Sequence, residues 1–267
     1  CLISMQGAPF IAQFYSSFQD SQAVYLSIEL CCGDMFELFN AIGLPSIGQT
    51  KVYAAQILLG LDSIHEKGYI YRDIKPENVL IRENGSIAIC DFGFAKKLNG
   101  NERAFTICGT PDYLSPEVLL HQGASYASDI WAFGVLVFEM IAGYPPFCAN
   151  DRQVMYDLIV NANFDQVPKP HNLDAKAEML LKEIFVKDED ERLGGADIDE
   201  IMYHPWFDNL DWKAILDGSL RPLHTFPEGF SLARELDGSI FGLMSGGGGD
   251  SSENDESNES KNKFAGF

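Results

Sequence analysis

The sequence is short of positive charge. Its 19 Lys and Arg stand against 39 Asp and Glu, a net charge of -20. That balance argues against a nucleic-acid binder that works through the phosphate backbone and against docking on an anionic membrane, and it favours cationic partners. Long apolar runs are also missing. The best of them, Ile130 to Met140, is too short to span a bilayer and is interrupted by Glu139. The chain opens on Cys1 with neither a Met nor the basic and apolar regions of a signal peptide, so it reads as a fragment or processed product. Its 6 cysteines include no CxxC pair, and no Cys/His set has zinc spacing. They read as reduced intracellular thiols, which implies a cytoplasmic setting with the nucleus as a second one. What is present is ordinary globular usage, 46% apolar and 22% charged in 267 residues, enough for one large domain or two small ones.

Two aromatic and apolar runs, Phe10 to Phe18 and Ala23 to Leu30, flank Gln19-Asp20-Ser21-Gln22 and predict a β-hairpin. After Gly33 the pattern turns helical: Ala54, Ile57, Leu58, Leu61 and Ile64 share one face, with a stop expected at Gly68. A second hairpin is expected from Val79-Leu80-Ile81 and Ile87-Ala88-Ile89 around Glu83-Asn84-Gly85. Residues 93–125 show little periodicity and predict a long functional loop. The stretch Ile130 to Met140 is apolar nearly all round, as in a helix buried on every side. One-sided helices are expected near 151–160 and 174–186, and periodicity fades after about 211. Residues 246–263, with consecutive glycines and an acidic, Ser-rich tract, predict a disordered linker.

The chemistry concentrates around the second hairpin. Tyr71-Arg72-Asp73-Ile74-Lys75-Pro76-Glu77-Asn78 precedes it and Asp91-Phe92-Gly93 follows it, so the hairpin would fold both segments toward one site. Phosphoryl transfer needs a carboxylate to take the acceptor's proton, oxygen ligands for a divalent metal, and a cation near the moving phosphate. Asp73 can supply the first, Asn78 with Asp91 the second, and Lys75 the third.

On these residues the chain resembles a eukaryotic protein kinase, whose signatures H-R-D-L-x-x-x-N, D-F-G and A-P-E occur in that order. Here they read Tyr71-Arg72-Asp73, Asp91-Phe92-Gly93 and Ser115-Pro116-Glu117. Tyr for His, together with Thr106-Ile107-Cys108-Gly109-Thr110-Pro111-Asp112-Tyr113, is similar to the AGC group. Asp91 to Lys97 and Gly143-Tyr144-Pro145-Pro146-Phe147 look most like the cyclic-nucleotide-dependent kinases, and the terminal Phe264-Ala265-Gly266-Phe267 is similar to the cyclic-AMP-dependent catalytic subunit. The resemblance implies an α+β fold: a partial small lobe over 1–30, a mainly helical large lobe over 31–207 and a C-terminal tail over 208–267. It implies a Ser/Thr kinase using ATP and Mg. A cyclic-GMP-dependent kinase and a truncated, non-catalytic binding module are the alternatives.

By the same resemblance Asp73 is the catalytic base, Lys75 contacts the γ-phosphate, and Asn78 and Asp91 hold magnesium. Adenine would bond the backbone of Glu29 and Cys31, with Ile28 as gatekeeper, Leu80 beneath the ring and Asp34 at the ribose. Glu117 would pair with Arg192, Asp129 would anchor the catalytic loop, and Ile3, Phe14, Tyr71 and Phe92 would stack as a spine. Thr106 is the implied phosphosite, cradled by Arg72 and Lys96 and modified by an upstream kinase or by autophosphorylation. Glu77 and Glu139 would bind an arginine before the acceptor, and Ile107, Thr110, Pro111 and Leu114 would line the pocket around the acceptor and the residue after it. A cyclic-nucleotide-binding regulatory subunit is an implied partner. Phe264 and Phe267 would dock on the small lobe, with Phe241 a weak candidate for a segment over the nucleotide. No glycine-rich phosphate lid and no strand Lys are found, so this chain alone is expected to show little or no kinase activity. His65 and the cysteines at 90 and 108 are expected to be packing residues rather than ligands or redox sensors.

Overall fold

The computed structural model describes residues 1–100, 102–161 and 163–227, all within the unit Cys1–Phe230. Phe241, the acidic tract and the terminal Phe264 and Phe267 lie outside the described residues. The first hairpin forms from Phe14–Gln19 (β1) and Val24–Ile28 (β2), antiparallel, with Asp20 Oδ1 accepting from the Gln22 and Ala23 amides in its turn. Tyr15, Phe18, Val24 and Leu26 are exposed, so this hairpin adds little to the core. It is tied down at its base instead. Residues Phe10 and Ala12 exchange backbone hydrogen bonds with Ile89, and Glu29 pairs with Arg82 at 2.6 Å.

A second sheet runs Gly33–Asp34 (β3), Val79–Ile81 (β5), Ile87–Ile89 (β6), all antiparallel. Asp34 ends β3 and starts helix α1 (Met35–Ile42). Its carboxylate accepts from the Glu37 amide at 2.8 Å, while Glu37 returns a bond to the Asp34 amide, a capping box. Helix α2 (Ile47–Glu66) follows from the Ser46 cap and is buried along most of its length. It packs on α4 (Tyr126–Ala142), whose side chains from Ile130 to Phe138 are all buried. An all-round apolar pattern predicts that burial because no face can be left to water. Helices α5 (Arg152–Val160) and α6 (Ala175–Ile184) complete the helical body, and Trp131 of α4 stacks on Phe147 at 5.6 Å.

The span 93–125 is more structured than its weak periodicity suggests. Lys96–Lys97 (β7) pairs with Tyr69–Ile70 (β4), Pro111–Tyr113 is a 3-10 turn, and Pro116–Leu119 (α3) is a short helix. These elements are too short to leave a periodic signature, and they form through long-range pairing. After α7 (Asp199–Met202) a further short helix, α8 (Trp212–Leu216), occupies the region where periodicity fades. The chain then runs back across α2: Tyr53 Oη donates to the His224 carbonyl, and Leu223 N–H donates to Gln49 Oε1 at 2.6 Å. Phe226 ends this strap against Gly33, where any Cβ would stand 2.7 Å from the Phe226 ring. Among the described residues no helix is long and apolar enough to cross a membrane.

Candidate active site

Asp129, buried on α4, organises the catalytic loop. Its Oδ1 accepts from the Arg72 amide at 2.7 Å, and its Oδ2 accepts from the Tyr71 amide at 2.8 Å and meets His65 Nε2 at 2.8 Å. These bonds hold Arg72 at φ +69°, a backbone state a non-glycine residue keeps only when its surroundings enforce it. His65 also lies edge-on to Tyr126, so it is a satisfied packing histidine.

The turn that follows presents Asp73, only 3% exposed. Asn78 Nδ2 donates to Asp73 Oδ2 at 2.7 Å and to its carbonyl at 2.8 Å, and Lys75 Nζ stands 3.2 Å from the same Oδ2. Asp73 Oδ1 is buried with no hydrogen-bond partner. The hairpin delivers the second segment: Cys90 N–H donates to the Asn78 carbonyl at 3.0 Å, which brings Asp91 beside Asn78. Asp91 sits at φ +50° and its Oδ1 accepts from Gly93 N–H at 3.0 Å. Since both bonds of the Asn78 amide come from its nitrogen, its oxygen remains as a ligand. With the Asp91 carboxylate it makes the hard oxygen set that suits magnesium.

Tyr71 and Phe92 meet edge to face at 5.4 Å, and Tyr71 Oη donates to the Cys90 carbonyl. The spine expected above them is corrected at one position. Ile3 is 68% exposed, because the 3-10 turn Leu2–Met5 buries Met5 in its place. Phe14 is half-buried on β1.

On the nucleotide side, Glu29 N–H is engaged by the Gln13 carbonyl at 2.8 Å, which leaves the Glu29 carbonyl as the group a ligand would meet. Burial raises the Glu29 carboxyl, but the Arg82 guanidinium and the Gln13 amide outweigh it, and the net shift is downward. Ile28 is exposed at the end of β2, and Leu80 is half-buried on β5 opposite Asp34. Asp34 differs from its expected ribose role, since its carboxylate caps α1 and burial raises its pKa. Burial pushes the Cys31 thiol up to about 11 and the Cys90 thiol up to about 12. Both stay protonated at neutral pH and behave as small apolar groups. Burial raises the Cys108 thiol as well.

The cradle expected around Thr106 is only half assembled. Arg72 Nη1 donates to the exposed Thr106 carbonyl at 3.2 Å and its Nε to Phe94 at 2.8 Å. Lys96 is drawn instead to Glu102, 3.1 Å away, an acidic residue with no sequence signal marking it. Further along, Gly109 at φ +92° packs on the catalytic loop so closely that a Cβ would lie 2.6 Å from the Arg72 carbonyl. A cavity of about 30 Å³ there joins Asp73 to Thr106, Thr110 and Leu114. Ile107 is exposed, Pro111 half-buried, and Leu114 packs inward with Ile70 and Leu98. In the natural full-length protein Gly109→Ala should therefore lower any phosphotransfer kcat about 100-fold by displacing the loop beside Asp73. It should also cost about 1–3 kcal/mol of stability for the strained backbone. Steady-state kinetics with thermal unfolding would check both.

Glu139 is mostly buried, and its partner is a hydroxyl rather than a cation: Tyr113 Oη donates to it. Burial raises the Glu139 carboxyl, and the negative charges of Glu77 and Asp112 raise it further. The structure thus brings Glu77, on the exposed turn after Lys75, within electrostatic reach of Glu139, and adds Asp112 and Tyr113. Glu117 makes a closed pair with Arg192, both bonds at 2.9 Å, with Ser128 Oγ donating to Glu117 at 2.7 Å.

The protein kinase domain model matches residues 1–207, and the chain belongs to the protein kinase family. It is similar to cAMP-dependent protein kinase type 3 of Saccharomyces cerevisiae, 38% identical over 218 residues, 80% of this chain and 54% of that protein. It is also similar to the cAMP-dependent protein kinase catalytic subunit of Dictyostelium discoideum, 39% identical over 210 residues, 78% of this chain and 32% of the relative. A cGMP-dependent protein kinase of Drosophila melanogaster, isozyme 2 forms cD5/T2, is 36% identical over 216 residues, 80% of this chain and 23% of the relative. The chain spans about half or less of the length of these relatives.

Proposed function

We propose that the protein containing this chain transfers the γ-phosphate of ATP to Ser or Thr hydroxyls in proteins carrying arginine before the acceptor. The observation that carries the proposal is Asp73: one oxygen is held by Asn78 and Lys75 and the other is buried without a partner. Asp73 accepts the acceptor's proton on that free oxygen as the hydroxyl oxygen bonds to phosphorus and the bond to the leaving diphosphate breaks. Lys75, beside the base, offsets negative charge on the moving group. Asn78 and Asp91 would hold magnesium, which supplies neutralisation of the phosphate oxygens when bound. The Glu29 carbonyl and the Cys31 amide are the adenine partners in this reading, with Ile28 and Leu80 as its apolar walls.

Glu77 and Glu139 supply the arginine preference. A buried carboxylate without a cation is costly to the free protein, and a substrate guanidinium relieves that cost. In the natural full-length protein, Glu139→Gln should raise KM for an arginine-containing peptide about 30-fold, the size expected when a buried charge pair loses one member. The sign on stability is opposite. A carboxyl raised in the folded state disfavours folding as pH climbs through that value, and Gln removes this term. The variant should therefore unfold at higher temperature at neutral pH while binding peptide more weakly. Equal KM for peptides with and without arginine in the parent protein would refute the preference.

The relatives include cAMP- and cGMP-dependent kinases at similar identity, and the motif Phe264-Ala265-Gly266-Phe267 supports the cAMP-dependent kind, with a cyclic-nucleotide-binding subunit as partner. Phosphorylation of exposed Thr106, by another kinase or by itself, is the regulatory step that accompanies this reading, and the cytoplasm or nucleus its setting.

A further inference from the structure

The segment that leads into Thr106 is tied to the helical body by one guanidinium. Arg103 Nη1 and Nη2 both meet the Glu189 carboxylate, the second at 2.8 Å to Oε2. Nη2 also donates to the Gly123 carbonyl at 2.8 Å, and Nε to the same oxygen at 3.3 Å. Glu189 Oε2 accepts in addition from Ser125 Oγ at 2.9 Å. Both charged side chains are largely shielded, 28% and 20% exposed. A two-pronged guanidinium–carboxylate contact of this kind is directional as well as strong.

The next residue continues the attachment. Ala104 is buried and exchanges backbone hydrogen bonds of 3.0 and 2.8 Å with Ala124. Ser125, which touches Glu189, is also the residue that opens α4, the helix whose Asp129 holds the catalytic loop. One continuous set of polar contacts therefore runs from the loop carrying Glu189, through Arg103, to a point three residues before Thr106. By contrast, the Lys96–Glu102 pair in the same segment is exposed and single, a geometry worth little.

We propose that Arg103 and Glu189 form a clamp that positions the segment leading into Thr106 for peptide binding. Both act as positioning residues, through Ala104 and the chain beyond it, and neither reaches the reacting atoms. The proposal rests on the kinase reading above, and one arm of its test does not depend on turnover.

That arm is limited trypsin digestion of the natural full-length protein. Glu189→Gln keeps the shape and removes the charge, so Arg103 is released and cleavage after it should quicken about tenfold, the weight of one lost charge-assisted contact. In the kinetic arm, Glu189→Gln should raise the peptide KM about tenfold while kcat and the KM for ATP stay within about twofold. The exchanged pair Arg103→Glu with Glu189→Arg should recover peptide KM, whereas each single reversal loses it. That recovery separates a positioning contact from mere loss of folding. Cleavage and peptide KM both unchanged in Glu189→Gln would overturn the clamp. Absence of phosphotransfer by the parent protein would overturn the kinase reading and leave the digestion result standing.

Discussion

Asp73→Asn in the natural full-length protein is expected to lower kcat by about 10²–10⁴-fold, the usual worth of a positioned general base. The KM values for ATP and peptide should change by less than about twofold, since the side chain keeps its size. Asn preserves an oxygen to accept from Asn78 and Lys75, the contacts that Asp73 Oδ2 makes at 2.7 and 3.2 Å. What it loses is the second oxygen, buried and unpartnered, on which the acceptor's proton would arrive. Rapid-mixing measurement of a single turnover would locate the loss in the chemical step. A deficit confined to KM would show that Asp73 binds substrate and does not take the proton.

The second large effect concerns stability. Glu117 and Arg192 are 3% and 0% exposed at their side chains and bond through two parallel contacts. Removing one member leaves a buried charge without its counter-ion, which typically costs about 3–5 kcal/mol. Arg192→Ala should therefore lower the unfolding free energy by that amount, read as a lower denaturant midpoint at unchanged slope, and it also removes the guanidinium from over the Trp131 ring, 5.1 Å away. Burial raises the Glu117 carboxyl, but Arg192 and Ser128 outweigh it and the net pKa is depressed. A depressed folded-state value contributes stability that is present above the unfolded carboxylate range and is lost as pH falls through the folded one. The stability gap between the parent protein and Glu117→Gln should accordingly shrink on acidification. A gap that widened toward acid pH would contradict the assigned sign.

Much of the site was legible because its chemistry is local. Asp73, Lys75 and Asn78 lie close in sequence, and the apolar runs Val79–Ile81 and Ile87–Ile89 flank a Glu83-Asn84-Gly85 turn, so Asp91 follows at a known distance. Long helices were legible for a similar reason: the one-sided pattern of α6 and the all-round pattern of α4 each state how much face is buried. Short elements were not. Lys96–Lys97 and Pro116–Leu119 are shorter than the period needed to recognise them. Ile3 shows a different failure, because a family position transfers by alignment whereas burial depends on what packs above it.

Sequence alone determined which carboxylate, amide and ammonium groups are available and in what order they occur, because acid–base and ligand chemistry belong to side chains and spacing. It also determined that Glu139 would lie on a buried helix. Tertiary structure decided the pairings. Nothing local distinguishes Glu102 from Glu189, yet one meets Lys96 in solvent and the other locks Arg103 beside Ser125. Likewise Asp34 became a helix cap and Glu139 became the partner of Tyr113. Charge is a property of each residue, but the strength of a charge's contacts is set by burial and by partners far along the chain, and only folding brings those together.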